Sequence, residues 1–270
     1  MSERQQQPES VANSPIDPRP VKPLGELRAD VRTIRAEHSQ HPEFAGHAIY
    51  WTQQVGVLTE ALQQGELPPQ EFNSLIGAMM AAQETTRDRD GLTDLLRRDA
   101  FIANSSALLS LARRNGQPAS LAFIDLDHFK QINDGYGHDT GDAVLQQVSG
   151  FLRNELREHD LLGRLGGEEL GLLLPFTTED QAHDVLERLR EDMPSAVGEA
   201  LTNMGFTIAE PITMSVGVTE VAFTGDPHAK LEAAVVQNSI READQRMYLA
   251  KNNGRNRVIS SKNLPAPEQA

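Results

Sequence analysis

The sequence predicts a mixed α/β protein of the α+β kind, preceded by a helical segment. Three observations carry this. From about Asp90 onward, helix-like and strand-like stretches alternate, as they do where helices cover a sheet. Two strand-like runs, Leu161 to Leu165 and Leu170 to Leu174, flank the turn Gly166-Gly167, and a tight hairpin is incompatible with an all-parallel sheet. Ahead of Asp90, apolar residues recur at spacings of three and four, the mark of helices with one apolar face.

In chain order, residues 1–23 are polar and hold Pro8, Pro15, Pro18, Pro20 and Pro23, too little apolar surface to order a tail. Leu24, Leu27, Val31 and Ile34 share one helix face. After a break near Pro42, Trp51, Val55, Leu58 and Leu62 do the same. Gly65 and Pro68 punctuate the chain, and Pro69 suits the first turn of a third helix, whose stripe is Phe72, Leu75, Met79 and Ala82. Residues 24–88 are thus expected to be a three-helix stalk running into a domain at 89–262, with 263–270 a flexible tail. Within that domain the patterns predict a helix at 99–114, a buried strand at 120–126, a helix at 141–156, the hairpin, and a helix capped by Thr178. A β-rich stretch at 212–221, a helix at 229–251 and a closing strand at 257–260 follow. No internal repeat is visible.

The 270 residues include 25 basic and 39 acidic side chains, a formal charge of -14. So acidic a chain is a poor partner for nucleic acid, whose phosphates call for Lys and Arg. The absence of cysteine excludes disulfides and thiolate metal sites. The N-terminus has no run like a signal peptide. The longest apolar-leaning run, 75–82, is far too short to span a bilayer. The expectation is a soluble, cytoplasmic protein with no membrane partner.

Two segments can carry chemistry. Phe123-Ile124-Asp125-Leu126-Asp127 is an apolar strand ending in carboxylates; alone, this reads as a solvated strand end. Gly166-Gly167-Glu168-Glu169 is a turn that lets a large ligand approach the backbone, followed by two like charges; alone, it reads as an exposed hairpin. Together they suit a nucleoside triphosphate, because Mg²⁺ bridges carboxylate and phosphate oxygens that would otherwise repel. The chain has no G-x-x-x-x-G-K-[ST] loop, which argues against a P-loop enzyme. His38, His41 and His47 read as surface histidines. Asp88-Arg89-Asp90-Gly91 lacks the spacing of a calcium loop.

Arg164-Leu165-Gly166-Gly167-Glu168-Glu169-Leu170 resembles the signature of the GGDEF-domain diguanylate cyclases in its GGEEF form. Asp90-Gly91-Leu92-Thr93-Asp94-Leu95 is similar to that family's opening D-x-L-T-x-L. The run from Asp125 through Lys130 and Asn133 to Asp134 resembles its D-x-D-x-F-K-x-x-N-D. Gly137-His138-Asp139 and Gly141-Asp142 continue in register, as do Met214 to Val218, Ala243-Asp244, Met247-Tyr248, Ala250-Lys251 and Gly254-Arg255-Asn256. The resemblance covers about residues 88–260. It departs at Leu170, where the family has Phe, a packing position with a small expected cost, and at Asp94 and Arg97.

This resemblance implies a ferredoxin-like core of the nucleotidyl-cyclase type that condenses two GTP into cyclic di-GMP and pyrophosphate. It implies Mg²⁺, with Mn²⁺ as a substitute, held by Asp125 and Glu168 with help from the Leu126 carbonyl. Glu169 is then a second metal ligand or helps deprotonate the ribose 3′-hydroxyl. Asn133 and Asp142 would read guanine. Gly166, Gly167, Lys130, Lys251 and Arg255 would hold the phosphates. Arg164 would contact the transition state or a partner subunit. Each domain offers half a site, so the implied enzyme is a homodimer or higher oligomer. Arg157-Glu158-His159-Asp160 has the R-x-x-D form and lies five residues before the Gly-Gly turn; Arg157 and Asp160, with Arg188, are expected to form a product-inhibition site for cyclic di-GMP. The stalk is expected to position two catalytic domains under control of a protein partner or of self-assembly. The competing class is a silent domain that senses GTP or cyclic di-GMP; the retained acids Asp125, Glu168 and Glu169 favour the enzyme.

Overall fold

The computed structural model describes residues 58–59, 61–69, 71–72, 75–76, 88–224 and 233–264. The chain divides into two compact units, 1–83 and 84–270. In the first, helical residues up to 63 give way to a turn at Gly65 (φ +74°), and helix resumes at Pro69, where the sequence places the break. Leu58, Leu67 and Phe72 are buried. The expected seams at 24–34 and 79–82 lie outside the described residues.

The second unit is built on a six-stranded sheet of β1 (Leu96–Arg97), β2 (Ala119–Leu126), β3 (Leu161–Arg164), β4 (Glu169–Pro175), β5 (Met214–Glu220) and β6 (Arg257–Ile259), in the order β1-β3-β4-β2-β5-β6. The central four strands are antiparallel, while β1 and β6 lie parallel to β3 and β5. Five helices accompany them: α1 (Arg98–Arg114), α2 (Phe129–Tyr136), α3 (His138–Glu155), α4 (Glu179–Asn203) and α5 (Ala233–Asn252). The succession β2-α2-α3-β3-β4-α4-β5 is a βαββαβ unit, the ferredoxin-like core that the sequence led us to expect.

All eight residues of β2 are buried, because helices cover both faces of the sheet. On one face Ile124, Leu170 and Leu172 join Val144, Val148 and Leu152 of α3 and Leu186, Leu189 and Met193 of α4 in the main core. The other face carries a row of register partners, Gly163, Gly171, Phe123 and Gly217. A Cβ on Gly163 or Gly171 would press into the Phe101 ring of α1, and one on Gly217 would overlap the Ala243 carbonyl and the Met247 amide of α5. The missing side chains therefore bring α1 and α5 hard against the sheet.

Helix α4 begins as expected, with Thr178 and Gln181 forming a capping box, and it passes through Pro194 without ending. Two elements escaped the sequence reading. α2 is mostly polar and buries only Phe129 and Ile132, and β1 is two residues long. Neither leaves a periodic apolar signal.

Candidate active site

Two carboxylates stand at the C-terminal end of β2, Asp125 within the strand and Asp127 in the turn that follows it. Their environments differ. Asp127 accepts hydrogen bonds from Ser215 Oγ (2.6 Å), Thr213 Oγ1 (2.8 Å) and the Asn256 amide (3.0 Å). Three donors occupy it, so it serves as a clamp. What it clamps is the turn after α5, where Gly254, Arg255 and Asn256 all have positive φ (103°, 59° and 44°). Arg255 is exposed in that strained turn.

Asp125 lies between Glu169 of β4 and Ser215 of β5 in the strand register. Its side chain is 6% exposed, and Oδ1 lies 2.7 Å from Lys251 Nζ. The sheet geometry explains this pairing. α5 meets β5 at Gly217 through Ala243 and Met247. Lys251 is one helical turn beyond Met247, and Ser215, the neighbour of Asp125, is two strand residues from Gly217; both steps are about 5–7 Å. Burial pushes the Asp125 carboxyl upward, Lys251 pulls it down, and Glu168 and Glu169 push it up again, leaving it raised to about 6.

The signature hairpin closes through the Leu165 amide, which donates to the Glu169 carbonyl (2.9 Å). A Cβ on Gly166 would overlap Glu169 Oε2, so this glycine leaves room for the carboxylate to fold over the turn. Arg164 is bonded within its own domain. Its Nη1 lies 2.9 Å from Asp90 Oδ1 and its Nε donates to the Gly167 carbonyl at 2.9 Å. Burial would raise Asp90, but hydrogen bonds from Thr93 and Arg164 prevail and hold it at about 2. The opening motif is thereby fastened to the catalytic turn, a link that the spacing of the two motifs does not reveal.

Among the described residues, no three acidic or histidine side chains form a ready-made metal cage. Mg²⁺ does not require one: it takes one or two carboxylates and completes its shell with water and substrate phosphates. The oxygens of Asp125, Glu168, Glu169 and the Leu126 carbonyl fit that need. The ammonium at 2.7 Å from Asp125 already marks a place where a cation sits.

The expected guanine readers flank the α2–α3 corner. Asn133 is half-buried on α2, and Asp142 is exposed near the start of α3. A Cβ on Gly141 would overlap Asn133 Oδ1 and come within 3.3 Å of the Phe129 ring. Gly141 is thus a site residue that the motif contains but whose role only the packing exposes. Lys130 is exposed and paired with Asp134 at 3.6 Å.

The R-x-x-D segment forms a turn closed on itself. The Arg157 amide donates to Asp160 Oδ2 (2.9 Å), and the Asp160 amide donates to the Arg157 carbonyl (3.0 Å). Asp160 Oδ1 is buried without a partner, and burial raises this carboxyl to about 6 against the pull of Arg157. Arg157 is exposed. Arg188 is bound to Glu155 at 2.6 Å.

The ferredoxin-like sheet brings carboxylates to adjoining strand ends beside a Gly-Gly turn, an arrangement that suits a nucleotide bound through a cation. Residues 87–257 match the family described as diguanylate cyclase, GGDEF domain, and the chain belongs to that family. Diguanylate cyclase DgcP of Pseudomonas aeruginosa is 38% identical over 173 residues, which are 63% of this chain and 23% of that protein; the chain thus spans only a fraction of this relative's length. The crystal structure of diguanylate cyclase SiaD from Pseudomonas aeruginosa in complex with its activator SiaC is similar at 31% identity and a TM-score of 0.55, over 87% of this chain and 79% of that one. The GGDEF domain of DgcB from Caulobacter crescentus in complex with c-di-GMP is similar at 27% identity and a TM-score of 0.54, over 67% of this chain and 99% of that one. Among the described residues, no helix is long and apolar enough to cross a membrane.

Proposed function

We propose that this protein is a diguanylate cyclase that joins two GTP molecules head to tail into cyclic di-GMP. The observation that carries the reading is the strand-end pair Asp125 and Glu169, in register on adjacent strands beside Gly166-Gly167 and reached by Lys251. Asn133 and Asp142 hold the guanine; a carboxylate accepts from its N1–H and N2–H, which adenine lacks. Lys251, Arg255 and Lys130 hold the triphosphate, and Gly166 and Gly167 let it lie against the turn. Glu169 orients the ribose 3′-hydroxyl and takes its proton. Asp125, Glu168 and the Leu126 carbonyl would hold Mg²⁺, which when bound would supply positive charge to offset the phosphates and the leaving pyrophosphate. Each 3′-hydroxyl attacks the α-phosphate held by the other subunit, so the working unit is a dimer. Positioning and electrostatics supply most of the rate.

Two controls belong to this reading. Arg157 and Asp160, with Arg188 released from Glu155, form an inhibitory site for cyclic di-GMP. The complex of the DgcB relative with c-di-GMP supports product binding to this fold. Residues 24–88 form a regulatory region that receives a protein activator. The likeness to SiaD in its activator complex supports this, since it covers more of the chain than the family match does.

Incubation of the purified chain with GTP and Mg²⁺, followed by chromatography, tests the activity. Cyclic di-GMP and pyrophosphate are expected, and the Glu169→Ala variant is expected to yield neither. Intact GTP after incubation at several protein concentrations, with binding retained, points instead to a silent sensor.

A further inference from the structure

Lys251 is the last basic residue of α5, on a stem that leaves it 27% exposed, yet its ammonium reaches inward to a carboxylate whose side chain is only 6% exposed. Glu168 and Glu169 stand close enough to act on the same carboxylate. The ammonium therefore holds the position beside Asp125 that a divalent cation would need. A cation entering there meets a like charge a few ångströms away, in a setting where screening is weak.

We propose that Lys251 is a gate on the metal site: it occupies Asp125 until a nucleotide's triphosphate draws it away, so divalent metal enters with the nucleotide and not before it. The inference rests on the reading of Asp125 as a metal ligand. It gives Lys251 two positions, inward on Asp125 and outward on phosphate, and a long flexible stem makes the exchange a rotamer change. In the inward position the ammonium offsets one of the three carboxylate charges, that of Asp125. An enzyme so arranged does not hold free metal in an empty site.

The test is Mn²⁺ alone, titrated by electron paramagnetic resonance into the nucleotide-free full chain at about pH 8, then repeated with a non-hydrolysable GTP analogue. Lys251→Met and Lys251→Gln should bind Mn²⁺ without nucleotide at least about tenfold more tightly than the unaltered chain, the direction expected when a like charge leaves a poorly screened site. The same variants should bind the Mn²⁺–nucleotide pair more weakly. These opposite signs are the signature, since a merely structural lysine would weaken both. Equal or weaker binding of Mn²⁺ alone in both variants overturns the gate. If the tighter binding in Lys251→Met survives addition of Asp125→Asn, the metal is elsewhere, and the reading of Asp125 falls instead.

Discussion

Asp125 is held as an anion in a place that disfavours one. Its carboxyl, raised to about 6, binds a proton more tightly in the fold than in the unfolded chain. Its contribution therefore lowers stability as pH rises from about 4 to about 6. Asp125→Asn should raise stability at neutral pH by about 2 kcal/mol while abolishing product formation, as denaturant unfolding and a GTP turnover assay would show. A loss of stability would mean that the Lys251 pair holds the fold together. The same carboxyl must be ionised to take a metal, so kcat/KM should fall on the acid side with an apparent pKa near 6. A flat profile down to pH 5 would rule out Asp125 as an essential base or ligand.

Gly141 makes a second prediction at this scale. Alanine favours helix by up to about 1 kcal/mol, but its Cβ would overlap Asn133 Oδ1 and push the amide out of place. Gly141→Ala should keep or raise the melting temperature and raise KM for GTP about tenfold or more, in line with the loss of a polar contact to a base. An unchanged KM would separate Asn133 from guanine recognition.

At the scale of elements, the site depends on how closely α5 lies on β5. Gly217 touches backbone atoms of Ala243 and Met247, which cannot swing aside as a side chain can. Gly217→Ala should cost about 1–3 kcal/mol in chemical denaturation and withdraw Lys251 from Asp125, so nucleotide affinity falls with stability. A neutral effect on both would show that the helix is free to shift.

The same scale shows what the sequence could and could not tell. The hairpin 161–175, the strand 119–126 and the Thr178 cap were legible because apolar periodicity and turn chemistry are local signals. The acidic pair was legible as two motifs, each weak alone. The contact of Lys251 with Asp125 was not, because it joins residues far apart in the chain through the seating of a helix on Gly217. The Arg164–Asp90 link hid for the same reason. The family resemblance singled out Asp125 and gave Asp127 no role; its donors, Ser215, Thr213 and Asn256, show it to be a clamp.

For the whole molecule, the proposed reaction has each domain supply one nucleotide site and consumes two nucleotides in opposed orientation. The rate of product formation should then rise with the square of protein concentration where dimers are scarce. Removal of residues 1–88 should abolish activity or free it from regulation, measured as cyclic di-GMP formed per domain. Full, normally regulated turnover in the shortened chain would show that the N-terminal region takes no part.

The proposed reaction needs a cation held between Asp125, Glu168 and the phosphates of GTP. A crystal structure with a non-hydrolysable GTP analogue and Mn²⁺, read by anomalous scattering, addresses this directly. A peak beside Asp125 is expected, with Lys251 turned to the phosphates and guanine at Asn133 and Asp142. A nucleotide bound elsewhere, or no peak beside those acids, would contradict it.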